Sequence, residues 1–236
     1  MKWTTAISTD EGGEHLIWGE KLSALMQEKT FTESTFLLLT KRLPTQKELK
    51  MFDMLLISSI EHGIAAPSIF SARVSASVGN PLNATLAAGL LATGQWHGGA
   101  VEKCAYYLQS DTTAEDIVTR ALAQKERLPG FGHKVYKDKD PRAEELLEAA
   151  TKLGIAGTHT QKVRAMTEAL QAHKPLALNI DGAMAAILSD MGFSWRIVNG
   201  CFLLGRLVGM MAHIDEELTN EKPYRRLDDT DITYTR

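Results

Sequence analysis

The chain has 236 residues, the length of one domain or of one domain with a lobe, and enough to bury a sizeable core. Hydrophobic residues make up 44%, charged residues 23%, and the net charge is −3, so no basic field covers the whole surface and a general affinity for nucleic acid is not expected. Cys104 and Cys201 lie far apart, which excludes a disulfide scaffold and a CxxC zinc or redox site; free cysteines among apolar neighbours suit a reducing, cytoplasmic setting.

The opening MKWTTAISTDEGGEHL has no apolar h-region, and no signal peptide is expected. Residues 4–18 read as a short hairpin, with TTAI and HLIW flanking the turn-forming Asp10-Glu11-Gly12-Gly13. Thr32 to Leu39 reads as a helix, ended by Leu43-Pro44. Thr45 followed by Glu48 is a capping box for the next helix, with Leu49, Phe52, Leu55 and Leu56 on its apolar face. Val74 to Val101 has no formal charge over 28 residues, but its Ser, Asn, Thr, Gln and His content is too polar for a bilayer span of about 20 apolar residues. A buried helix is expected there instead. Within it, Pro81 starts a helix with Leu82, Leu86, Gly89 and Leu90 on one side, whose small residues permit close packing.

Further helices are expected over Ala143–Leu153, after Asp140-Pro141, and over Gln161–His173, before Pro175. The last long helix runs from Val198 to Leu218, with Leu204, Leu207, Val208, Met211 and Ile214 on the 3.6-residue period. Residues 220–236 read as a polar loop. The fold class is mostly α, a compact helical bundle.

Four places combine ionisable groups with apolar, glycine-rich surroundings: Glu61-His62-Gly63, the run GQWHGGA around His97, the run LPGFGHK around His133 with Asp140-Pro141-Arg142 after it, and LALNIDG around Asp181. Each alone is a weak signal. A histidine beside glycine is more often structural, and Asp181 suits an N-cap as well as a general base. Lys134-Val-Tyr-Lys137 is either a solvated face or a phosphate contact. Gly130-Phe131-Gly132 lacks the third glycine and preceding strand of a dinucleotide fingerprint. GxxxxGK, HExxH and GxSxG are absent from the sequence, and the histidines are too widely spaced for a local metal motif, so no metal is expected.

The order of these places is more telling than any one of them. His62, His97, His133 and Asp181 are separated by 35, 36 and 48 residues. Together with GQWHGGA, GFGHKVYKDKDPR, NIDG and the C-terminal GRLVGMMAH, they resemble the citrate synthase superfamily. Within it the chain looks most like the citryl-CoA lyases, including the C-terminal module of ATP-citrate lyase. DEGGEHLIWG resembles that module's opening, YRRLDDTDITY its ending, and Pro44 stands only 18 residues before His62, where citrate synthases carry a long helical insertion. His97 departs from the lyase frame: citrate synthases carry a histidine in this slot, the ATP-citrate lyase module an aromatic residue. This bears on how cleanly cleavage is separated from thioester hydrolysis.

The resemblance implies retro-aldol cleavage of citryl-CoA to acetyl-CoA and oxaloacetate. His133 would take the tertiary hydroxyl proton, His97 would donate to the enolate oxygen, and Asp181 would protonate the enolate carbon. His62, Arg142, Arg206 and Arg225 would bind the carboxylates; Arg225, or else Arg226, would come from a partner subunit. Arg206 on its apolar helix has a structural alternative, pairing with Asp215 or another acid, and Phe202 lines the pocket or is core. Gly130, Phe131, Gly132 and Lys134 would approach coenzyme A, which enters as part of the substrate; no resident cofactor is implied. No ATP-grasp or CoA-ligase region is visible, so a separate citryl-CoA synthetase is the expected supplier. One citrate-synthase-like domain over 1–236 is implied, with a large lobe of 1–100 and 180–236 and a small lobe of 101–179, as a homodimer at least. The alternatives are a short citrate synthase that condenses acetyl-CoA, or a related acyl-CoA, with oxaloacetate and releases CoA, and a non-catalytic binding protein of the same fold.

Overall fold

The computed structural model describes residues 1–236 apart from Lys134, Val135, Lys137, Asp138, Pro175 and Arg236. Among the described residues the fold is mostly helical, with one small sheet at the N-terminal end. The chain divides into two compact units, 1–55 with 100–200 and 56–99 with 201–236.

The first unit opens with three short antiparallel strands, β1 (Ser8–Glu11), β2 (Glu14–Ile17) and β3 (Glu20–Lys21), in the order β1-β2-β3. The expected hairpin is present, with Asp10 opposite His15 and Gly12-Gly13 in the turn. Its first strand starts at Ser8 rather than Thr4, and a third strand, too short to show a sequence period, follows. Then come α1 (Leu22–Glu28), α2 (Phe31–Thr40) and α3 (Gln46–Ser58). Thr30 and Glu33 form a capping box at α2, and Thr45 and Glu48 form the expected one at α3. The buried side chains of α3 are Met51, Phe52 and Leu55; Leu49 and Leu56 are only half-buried, so its inner face is turned by about one residue from the expected stripe. Phe36 packs edge-on against Phe52 and Phe193, at centroid distances of 5.7 and 5.1 Å.

The same unit contains α6 (Ala100–Gln109), α7 (Ala114–Gln124), α8 (Pro141–Leu153), α9 (Thr158–Gln171) and α10 (Ile180–Asp190). Residues Gly182 to Ser189 of α10 are all buried, and α10 packs against α6, α8 and α9. This small-residue helix is the centre of the unit. Asp190 closes its far end, accepting from the Gly157, His159 and Thr160 amides at the start of α9.

The second unit holds α4 (Pro67–Ser77), α5 (Leu82–Leu91) and, from Cys201 on, α11 (Val198–Asn220). The uncharged stretch 74–101 is therefore not one buried helix but the end of α4, all of α5, a loop and the start of α6. Asn80-Pro81 and the glycines at 94, 98 and 99 break it. Gly89 brings α5 close: a Cβ there would lie 2.8 Å from Met210 Sδ and 2.9 Å from the Ser68 carbonyl. On α11 the expected apolar face is only partly inward: Ile214 is buried, Leu204 and Leu207 are half-buried, and Val208 and Met211 are 49% and 43% exposed. The buried residues are Val198, Cys201, Phe202, Gly205, Arg206, Gly209, Met210, Ile214 and Glu217. A helix that is apolar nearly all round gives no unique inner face to its sequence period. Among the described residues, no helix is long and apolar enough to cross a membrane.

Candidate active site

In the second unit, α11 is laid directly on the chain that carries His62. A Cβ at Gly205 would meet Leu56 O at 2.6 Å, and one at Gly209 would meet Ile60 O at 2.2 Å, so only glycine permits this approach. Arg206, between them, is 1% exposed. Its Nε donates to the Ser59 carbonyl at 3.0 Å, its Nη2 to His62 Nδ1 at 2.7 Å, and its guanidinium lies over the Phe202 ring. Phe202 is core, 6% exposed, and it also carries the cation. Because Nδ1 accepts from Arg206, a neutral His62 holds its proton on Nε2.

His97 stands in a tight loop. Gly94 and His97 exchange backbone hydrogen bonds of 2.7 and 3.0 Å, and Gly98 at φ +77° lets the chain turn against Phe202. His97 Nε2 lies 2.9 Å from the hydroxyl of buried Ser68, in the first turn of α4. Burial, helped by the charge of Arg206, lowers the pKa of His97, so the ring is neutral near pH 7. A neutral imidazole fixed by a hydroxyl is a hydrogen-bond donor suited to a developing oxyanion.

In the first unit the GFG loop is stitched to the start of α10. Phe131 and Leu178 form an antiparallel bridge, the Gly132 amide donates to Ala177 O at 2.7 Å, and the Asn179 amide donates to Gly130 O at 3.0 Å. Gly130, at φ +87°, packs on Gly182, where a Cβ would come within 2.8 Å of the Gly182 Cα. The glycines thus place His133 and Asp181 on adjoining segments, which accounts for their pattern without a nucleotide. Asn179, not Asp181, caps α10, accepting from the Asp181 and Gly182 amides. The half-buried Asp181 carboxylate is therefore not the cap.

Arg142 sits in the first turn of α8 beside Asp140, which is fully buried. Asp140 accepts from Arg142 Nε at 3.1 Å and from Nη2 at 2.9 Å. Burial pushes the Asp140 carboxyl up, and the Arg142 hydrogen bonds more than offset this, holding it below the ordinary range. Arg142 Nη2 is also 3.3 Å from His133 Nε2, while the Tyr136 amide donates to Nδ1 at 3.2 Å. A neutral ring accepts at one nitrogen only, so His133 must release one of these neighbours to act as a base. Cys104, beneath Asp181, is inert: burial, with the Asp181 charge, pushes its thiol up to about 12.

Arg225 is engaged within its own chain, where its guanidinium forks onto Glu217 at 2.9 and 2.8 Å and its amide donates to Ser77. Arg226 pairs with Asp229. Lys134 lies outside the described residues. The sequence reading missed Ser59, Ser68 and the buried ion-pair role of Asp140. Asp140-Pro-Arg142 at a helix start offered a signal for the last; a backbone carbonyl and a serine in an uncharged run offered none. Among the described residues, no group of three or more His, Cys, Asp or Glu is arranged to hold a metal ion.

Residues 47–227 match the family model for the citrate synthase C-terminal domain. The solved structure of citryl-CoA lyase from Hydrogenobacter thermophilus is 44% identical with a TM-score of 0.93, over 99% of this chain and 94% of that one. An ATP citrate lyase variant from Methanosaeta concilii, solved with (3S)-citryl-CoA, is 26% identical with a TM-score of 0.81, over all of this chain and 42% of that one. Citrate synthase from Heyndrickxia coagulans is 30% identical over 219 residues, 89% of this chain and 58% of its own length. The chain spans about half the length of the curated relatives it matches, which run on beyond the shared region. On the family match, which covers most of its length, the chain belongs to the citrate synthase superfamily.

Proposed function

We propose that the chain is a citryl-CoA lyase, cleaving citryl-CoA to acetyl-CoA and oxaloacetate. The observation that carries this reading is the 44% identity to a solved citryl-CoA lyase over nearly the full length of both chains. The side chains support it. Arg206 and Arg142 are forks suited to carboxylates, each pre-aimed by buried neighbours. His62, with its proton on Nε2, donates to the oxaloacetate portion.

We assign the two groups of residues to one reaction. His133 accepts the tertiary hydroxyl proton as Arg142 moves onto a substrate carboxylate. The oxygen's electron pair forms the ketone of oxaloacetate, and the C–C bond breaks toward the thioester. Neutral His97 donates a hydrogen bond to the enolate oxygen, and Asp181 delivers a proton to the enolate carbon. Coenzyme A takes part as the substrate's thioester. Gly130, Phe131 and Gly132 are retained as its neighbours in this proposal, and Arg225 as an arginine donated to a second subunit.

A short citrate synthase is the second reading, favoured by His97 in the synthase slot and by the citrate synthases at 30–34% identity. Purified protein mixed with citryl-CoA, and separately with acetyl-CoA and oxaloacetate, tests both. Oxaloacetate from citryl-CoA with little free thiol is the expected result. Rapid free thiol in both mixtures would establish the synthase instead.

A further inference from the structure

His62 is gripped from α11 on one side by Arg206; its neighbour Glu61 is gripped from the same helix, two turns on, by His213. Glu61 Oε1 accepts from His213 Nε2 at 2.9 Å and from the Gly63 amide at 2.6 Å, closing the turn in which Gly63 takes φ +82°. His213 is itself held. Its Nδ1 lies 3.4 Å from Arg73 Nη1 and 3.6 Å from Glu216 Oε2. Arg73 is buried against Glu217 at 2.7 Å and also pairs with Glu216. The ring is thus oriented from its Nδ1 side, and its Nε2 faces Glu61.

We infer that Glu61 and His213 are positioning residues for substrate binding: the Glu61–His213 hydrogen bond, backed by Arg73, fixes the 61–63 turn so that His62 meets the oxaloacetate portion of the substrate in one orientation. The inference rests on the lyase reading for the substrate, but its structural content is the pinned turn. A side chain that fixes a ligand's orientation from the next layer out usually matters about 10- to 100-fold in affinity or activity. Neither residue has a part in the proposed bond breaking, so the effect belongs to binding rather than to the chemical step.

The test uses the full chain, with citryl-CoA kinetics and calorimetric binding of oxaloacetate. Glu61→Ala and His213→Ala should each raise KM for citryl-CoA and weaken oxaloacetate about tenfold, with kcat changed less than about twofold. The double variant should be no worse than either single one, because both remove the same link. His213→Gln, which keeps a donor near Glu61, should recover most of the affinity and guards against a folding defect in His213→Ala. Unchanged KM and oxaloacetate affinity in Glu61→Ala and His213→Ala, a His213→Gln variant as impaired as His213→Ala, or strictly additive effects would overturn the inference, while a cleaving wild type leaves the lyase reading intact. A wild type that neither cleaves citryl-CoA nor binds oxaloacetate would remove both.

Discussion

Asp181 shows how one residue's role is narrowed by its neighbours. From the sequence it is a helix cap or an acid. Asn179 takes the cap, so the structure does not support the cap reading of the Asp181 side chain, and the acid is the role we propose for it. Asp181→Ala is therefore expected to keep the fold and lower the cleavage rate roughly 10²- to 10⁴-fold, the range for a lost general acid. An unfolding temperature within a few degrees of wild type, measured beside the rate, separates this from a folding defect. If the variant cleaves citryl-CoA at the wild-type rate, Asp181 is not the acid. The four histidine and aspartate positions were legible in the sequence because their surroundings are glycine-rich and their order is distinctive. Ser59 was not: its contribution is a backbone carbonyl, which any residue supplies.

At the scale of elements, the glycines of GRLVG belong to helix packing. Gly209→Ala would drive a Cβ into the Ile60 carbonyl, a contact with backbone that no rotamer relieves. It should destabilise the protein by about 1–3 kcal/mol, as overpacking does, and weaken oxaloacetate binding by pushing α11 off the turn that holds His62. Chemical denaturation and calorimetry on the same variant check both parts. The capping box at α3 makes a separate, pH-dependent contribution. Arg42 and the Thr45 groups hold the Glu48 carboxyl at about 2, against 4.5 in the unfolded chain. A depressed carboxylate pKa stabilises the fold above the unfolded value, and that stability is lost as pH falls from about 4.5 toward 2. Glu48→Gln should thus lower stability by about 1 kcal/mol near neutral pH, with the difference from wild type shrinking across that window. A constant difference down to pH 2 would show that the charge is not involved. This box was readable from Thr45 and Glu48 alone, because caps are local. Helices α1, α6 and α7 were not read. α1, at 7 residues, is too short to show a period, whereas α6 and α7 are amphipathic and Thr113 caps α7, so those two were open to a reading that was not made.

For the molecule as a whole, the residues that misled the sequence reading of α11 are the informative ones. Of the stripe expected to face the core, Ile214 is buried but Val208 and Met211 are 49% and 43% exposed, and Leu218 at the helix end is 60% exposed. In the same unit, Phe70 on α4 and Leu82 and Leu91 on α5 are 53%, 52% and 85% exposed. Scattered exposed apolar residues are ordinary, and the several large ones on these three helices support, as a proposal, a surface that another chain covers. The partner we propose is a second copy of this chain. Such an interface uses the same patch on both subunits, so one substitution acts twice. Met211→Glu would place two charges in a desolvated contact and should convert the assembly to monomers, seen by light scattering as a halving of mass for a dimer. Met211 lies on the exposed face of α11, one turn past Val208 and away from the buried face that carries Arg206, so the helix itself should survive, with its circular dichroism unchanged. If Arg225 is donated between subunits, the monomer should also lose affinity for citryl-CoA, and a mixture of Met211→Glu and wild-type chains should not restore it. A wild-type protein that already runs as a monomer at micromolar concentration would end the proposal and return Arg225 to the structural role that its fork onto Glu217 gives it.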